Sequence, residues 1–278
     1  MTTLFRRAKA AIMSLLSSAA DASTVTGIPQ MYGRTWAGSV EAMAKDGSGE
    51  IYQVTPFFGP CRMSYYYLDD FLTNSVSTAA VAGAGTSSSL TAGSVQGSPG
   101  VQRSTFVGVT SRVVLLISAS GSTASSFVMN GHHIFEGRCL TTTAQDGTDQ
   151  WSDRWGTGDA IAAADAIDGI YFECDRTTNG DNNVRLCAAS GGTRTKTSMG
   201  VAPTAGTFQR WKYIVNAAFT SVQGYLDDVL TGSAVTANLP TATLTATWWA
   251  QCVKTAGSNA RTVDRDYLES YEIFNTPR

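Results

Sequence analysis

Apolar and polar positions alternate in short runs along most of this chain, and turn-forming residues cut the runs at close intervals. Residues 128–140 place His133, Phe135, Gly137 and Cys139 on one side and Ile134, Glu136 and Arg138 on the other, the two-residue period of a strand. Residues 103–118 form a run rich in β-branched side chains, and residues 208–217, 248–254 and 267–274 read the same way. Two hairpins are predicted. One joins 170–174 to 184–187 through the turn-forming cluster 178–183, which contains Asn179-Gly180; the other joins 221–226 to 229–230 through Asp227-Asp228. The only later helical signal is the short stretch 159–167, and the Ser/Ala/Gly/Thr-rich residues 76–100 suit loops and a weak edge strand. Many short strands and few helices predict an antiparallel sandwich or barrel.

The first 60 residues follow another pattern. Arg6, Arg7 and Lys9 precede a short apolar stretch that ends near Ala20-Asp21-Ala22, the grammar of a secretory leader, but the apolar core is brief and broken by Ser14. Leu4, Ala8, Ile12, Leu15 and Ala19 recur at spacings of three and four and form one apolar stripe of an amphipathic helix. We read this helix as a docking arm; packing on its own domain is the equal alternative. Residues 23–60 are punctuated by Gly and Pro yet hold Trp36, Tyr52, Phe57 and Phe58, which suits an extended segment laid against a surface rather than a flexible linker. The expected organisation is an arm over 1–60 and a β domain over 61–278.

Composition narrows the function. The chain has 278 residues with formal net charge -2, and charged residues make up only 15%, below the roughly 25% of ordinary soluble domains. Nucleic-acid binding needs clustered cations and is not expected, and no run of about 18 apolar residues suggests a membrane span. The five cysteines are scattered without metal spacing, which favours buried thiols in a reducing compartment, and two adjacent histidines, His132 and His133, leave little room for acid–base or zinc chemistry.

An ordered set of short motifs carries a resemblance: Pro99-Gly100-Val101, then 168–172 (DGIYF), then Trp211 with 222–229 (VQGYLDDV), then Asn238-Leu239-Pro240, and last 261–267 (RTVDRDY). In this order they resemble the concanavalin A-like lectin/glucanase jelly roll as found in bacteriophage structural proteins, over residues 64–274. Asp227-Asp228 stands where that fold usually has Asp-Gly, and 263–267 stands for its closing strand. The resemblance implies an all-β antiparallel β-sandwich and a virion protein of a tailed phage, assembled in the host bacterial cytoplasm. A capsid decoration protein held by its arm against other virion subunits comes first, and a tail- or fibre-associated module that binds a host surface glycan second. A homo-oligomer is expected, a trimer by analogy with such proteins.

Enzymatic activity is not expected. The related glucanases set two or three carboxylates on alternate positions of one strand, because retaining hydrolysis needs carboxyl groups roughly 5 Å apart. Here Glu136 stands alone, and the pairs Asp264/Asp266 and Glu173/Asp175 lack a third member. For a glycan platform the best cluster is Trp151, Asp153, Arg154 and Trp155 (WSDRW), which offers stacking faces beside polar groups; Trp211 and Trp248, inside strand runs, are expected in the core. No cofactor is expected, although Asp146 and Asp149 offer oxygen ligands of the kind Ca²⁺ takes and serve equally as loop formers.

Overall fold

The structure is a computed structural model and describes residues 30–36, 39–45, 51–53, 64–69, 78–82, 86–91, 100–116, 127–128, 131–159, 165–240 and 245–274. The chain divides into two units, Met1–Ser64 with Asn275–Arg278, and Tyr65–Phe274. In the first, β1 (Gln30–Trp36), β2 (Ser39–Lys45) and β3 (Ile51–Gln53) form an antiparallel meander, so part of the expected extended segment is a small sheet. The helix stripe Leu4, Ala8, Ile12, Leu15 and Ala19 lies outside the described residues.

The second unit is the expected antiparallel sandwich. Sheet I runs in the order β17 (Val229–Leu230), β16 (Val222–Leu226), β15 (Gln209–Val215), β10 (Gly131–Thr141), β19 (Arg261–Phe274), β7 (Val101–Phe106), β6 (Ser87–Thr91), with β4 (Ser64–Asp69) also paired to β19. Sheet II runs β14 (Thr193–Ser198), β13 (Arg185–Ser190), β12 (Gly169–Asp175), β11 (Gln150–Gly158), β18 (Thr245–Ala256), β8 (Arg112–Leu116), β5 (Thr78–Ala82), with β9 (Phe127–Val128) also paired to β18. The Ser/Ala-rich stretch supplies β5 and β6, each at the edge of its sheet. The run 103–118 is divided: Ser111 N bonds Gly108 O, Thr110 takes φ 71°, and the chain passes from β7 in one sheet to β8 in the other. The helical signal at 159–167 gives no helix among its described residues.

Burial separates the sheets. In β15 every second residue is buried and its neighbours are half exposed, whereas every residue of β12 is buried. A strand wet on one side alternates; one covered on both sides does not. Trp211, Tyr213, Phe135 and Leu268 of sheet I pack against Trp155, Phe172 and Trp248 of sheet II, and the Phe172 ring centroid lies 5.6–5.9 Å from those of Trp155, Trp211 and Tyr213. Gly137 admits this packing, since a Cβ there would stand 2.9 Å from a Leu268 methyl and 3.3 Å from the Trp155 ring.

Both predicted hairpins form. β12 and β13 pair from Gly169↔Ala189 to Glu173↔Arg185, and their connection is a one-turn helix, α1 (Arg176–Asn179), whose first turn Asp175 caps by accepting from Thr178 N and which ends at the left-handed Gly180. In the β16–β17 turn Asp227 and Asp228 take φ 48° and 66°, the paired left-handed geometry that glycine usually supplies. Asp227 offsets this by accepting from Arg210 N at 2.9 Å, and Asp228 by pairing with Arg210 and Lys212.

The core also encloses polar groups. His133 is fully buried, its Nε2 lies 3.3 Å from the Tyr213 hydroxyl, and that hydroxyl lies 2.7 Å from Thr157 Oγ1. Burial, and secondarily the charge of His132, pushes the His133 imidazole down to about 3. Between that value and the ordinary value of about 6.5 the unfolded chain holds a proton that the folded chain does not, so stability is complete above about 6.5 and declines as the pH falls toward 3. Urea unfolding at pH 7.5 and pH 5.0 should show about 2 kcal/mol less stability at the lower pH from this group, and His133→Gln should remove most of the difference.

Candidate binding faces

β11 and β12 have no solvent-facing side, and this decides the fate of the WSDRW cluster. Trp151, Asp153 and Trp155 point between the sheets, with Trp151 and Trp155 each 1% exposed. Rings so covered cannot stack on a sugar, so they are not a platform, contrary to the expectation from sequence. Asp153 instead pairs with the buried Arg265 of β19, and Cys252 Sγ lies 3.1 Å from the same carboxylate oxygen. Arg154 points to the other side of sheet II. Trp211 and Trp248 lie in the core as expected.

The proposed calcium ligands are likewise committed elsewhere. Asp146 accepts from Thr148 N and Asp149 N at 2.7 Å each, closing its own turn. Asp149 takes the Lys254 ammonium at 2.7 Å and Arg261 at 3.0 Å and also bonds Asn259; Lys254 first and then Asn259 hold its carboxyl down at about 2. A carboxylate already facing two cations is a poor Ca²⁺ ligand, and among the described residues no group of three or more His, Cys, Asp or Glu could hold a metal ion. The four described cysteines, Cys139, Cys174, Cys187 and Cys252, are buried and form no disulfide.

On the outer side of sheet II, Arg154 is the hub of an ionic cluster. Its Nε lies 2.9 Å from Glu173, its Nη1 3.0 Å from Gln251, its Nη2 3.4 Å from Asp175, and it also pairs with Asp165. Lys196 of β14 bonds both Glu173 oxygens at 2.7 and 3.0 Å, and Arg194 reaches Asp165 at 3.3 Å. Arg194 also donates to the Ala166 carbonyl, and Ala166 packs with Tyr171, Trp249 and Val114. Asp165 and Ala166, shortly before β12, therefore lie on this face. Burial works against ionising Glu173, but the nearby Arg154 and Lys196 outweigh it and leave its carboxyl below the ordinary range.

On the outer side of sheet I the described side chains of β17, β16, β15, β10 and β19 reach solvent. Strand register lays out its side chains in rows: Leu230, Tyr225, Lys212, Glu136 and Glu269 oppose one another across β17, β16, β15, β10 and β19. Arg210, Arg138 and Tyr267 form the row on one side, and Gln223, Ile214, Ile134 and Tyr271 the row on the other. Every one of these residues is half exposed or exposed. With neighbouring strands about 4.8 Å apart, the row from Tyr225 to Glu269 crosses about 14 Å of sheet. Glu136 accepts from the Tyr267 hydroxyl and lies 3.7 Å from both Arg210 and Lys212. Lys212 stands 5.7 Å over the Tyr225 ring and also pairs with Asp228. Arg138 bonds Asp266 at 2.6 Å and lies 5.1 Å over the Phe208 ring. Burial and the Glu136 contact push the Tyr267 phenol up, so it stays a donor at neutral pH. The face thus presents phenol rings beside alternating carboxylates and cations, the mixture of apolar surface and fixed donors and acceptors that binding sites use to orient a polar ligand.

Two facing antiparallel sheets in this arrangement place the molecule in the concanavalin A-like class of β-sandwiches. Within that class the chain belongs to the family described as SO2946-like, C-terminal domain, which matches residues 97–266. Among solved structures it is similar to a protein of unknown function, SO2946 from Shewanella oneidensis MR-1, with TM-score 0.57 and 15% identity over 78% of this chain and 89% of that one. It is similar also to peanut lectin, with TM-score 0.50 and 12% identity over 77% and 99%. A third match, the carbohydrate esterase vb_24B_21 of the Shiga toxin-encoding bacteriophage phi24B, has TM-score 0.47 and 11% identity over 76% and 98%. At these identities the first two likenesses show the fold. No curated protein matches the chain in sequence.

Proposed function

We propose that the sandwich is a non-enzymatic adhesion module that binds a glycan on the outer face of sheet I. One observation carries this reading: Tyr225 and Tyr267 stand half exposed beside Glu136, Arg210, Lys212 and Asp228, so that ring faces and hydrogen-bonding groups are available together. The lectin-like fold supports it. The non-catalytic part rests on the sequence, where no strand carries a run of two or three carboxylates on alternate positions of the kind the related glucanases use. On a glycan array the protein should give saturable binding that Tyr225→Ala and Tyr267→Ala each weaken at least tenfold, about 1.4 kcal/mol, with thermal unfolding little changed because both sites are half exposed. Absence of any binding, or binding that neither variant weakens, would count against the reading.

A second reading concerns where the module works. The division of the chain into a unit of Met1–Ser64 with Asn275–Arg278 and the sandwich supports attachment through the N-terminal unit, as in a capsid decoration or tail-fibre protein of a tailed phage, carried as a homo-oligomer and assembled in the bacterial cytoplasm. Removing residues 1–22 should then abolish incorporation into particles while leaving the sandwich folded. Full incorporation of the truncated chain would reject the arm.

A further inference from the structure

We infer that the outer face of sheet I selects uncharged glycans over acidic ones; the inference rests on the reading of that face as a glycan site and adds the class of ligand. The reason lies in how the charges on the face are already used. Around Tyr225 and Tyr267 the cations Arg138, Arg210 and Lys212 stand among the carboxylates of Glu136, Asp228, Asp266 and Glu269, and further along the same face Arg103 is bound to Asp264 at 2.6 Å. Arg138 is bound to Asp266, and Arg210 and Lys212 are both shared between Glu136 and Asp228. The Lys212 hydrogen bond, ahead of every other influence, holds the Asp228 carboxyl below its ordinary value, so the carboxylate is ionised at neutral pH.

A uronate or sulfate group reaching Arg210 or Lys212 arrives beside Glu136 and Asp228, the two carboxylates that already share those cations. Glu269 lies directly across from Glu136 in the register, which places a further negative charge where an acidic group would arrive, and like charges brought that close repel. A hydroxyl meets no such obstacle. It can donate to a Glu136 oxygen and accept from Arg210 or Lys212, each 3.7 Å from Glu136, without adding a charge to the face. Adjacent hydroxyls of a neutral pyranose match the alternation of Glu136, Arg210, Asp228 and Lys212, and the ring's C–H surface has Tyr225 and Tyr267 to rest on.

The test is calorimetric titration of the full-length protein with neutral hexose oligosaccharides (gluco-, galacto- and manno-configured hexamers) and with an oligogalacturonate hexamer, each at 20 and 300 mM NaCl. At least one neutral hexamer is expected to bind, with a Kd that changes less than twofold between the two salts, because no net charge is neutralised on binding. The uronate should bind at least tenfold more weakly, and Glu136→Gln should narrow that gap. Uronate binding that equals or exceeds neutral binding, weakens at high salt and is lost in Tyr225→Ala would overturn the inference and leave the glycan face standing. Lack of binding by every hexamer, or binding that survives both Tyr225→Ala and Tyr267→Ala, would overturn the face itself and the inference with it.

Discussion

Replacing Arg154 with alanine is expected to destabilise the sandwich by about 3–5 kcal/mol, the usual cost of removing one partner from a buried charge cluster. The Arg154 side chain is 7% exposed and Glu173 is fully buried, so the change leaves Glu173, Asp165 and Asp175 without their central cation in a place that water reaches poorly. Lys196 and Arg194 remain, and they soften the loss without replacing the Nε bond to Glu173 or the bond to Gln251. For a domain of this size the melting temperature should fall by roughly 6–15 °C. Calorimetry checks this, and a fall of under 2 °C would mean that the cluster contributes little. The double variant Arg154→Met with Glu173→Gln should recover part of the loss, because it removes a buried charge of each sign together.

The second large effect lies between the sheets. Asp153 and Arg265, 4% and 1% exposed, join sheet II to sheet I with Cys252 against them. Arg265→Ala should cost about 3–5 kcal/mol by stranding the Asp153 carboxylate among Cys139, Cys174 and Trp151. Asp153→Leu combined with Arg265→Met should be far less damaging than the sum of the two single changes, since an apolar pair of similar volume needs no counter-ion. Chemical denaturation of the four proteins of this cycle measures the coupling, which should exceed 2 kcal/mol; additive effects would show that the two charges act independently.

The contrast between these inward charges and the outward ones explains what the sequence could tell. The strands, both hairpins and the sandwich were legible because β10 and β15 alternate and because Asp227-Asp228 and Asn179-Gly180 mark turns. WSDRW misled for a physical reason: β11 is buried on both sides, so its polar residues lose the alternation that separates inside from outside, and Arg154 and Asp153 are satisfied by partners from Asp165 to Arg265, up to 112 residues away. Glu136 stood alone in the sequence for a different reason. Its neighbours Arg210, Lys212 and Tyr267 arrive through the register of β15 and β19, and no local pattern encodes register between strands so distant. Charges evenly paired across strands also leave no run of one sign, so composition showed only a low-charge surface.

The glycan face of sheet I is tested most directly by where a sugar sits. A crystal structure of the protein with the tightest-binding neutral hexamer measures this directly. It should place a pyranose ring against Tyr225 or Tyr267 with hydroxyls bonded to Glu136 and Asp228. A sugar seated at the turn around Val109 and Thr110, or anywhere else away from the outer side of sheet I, would contradict it.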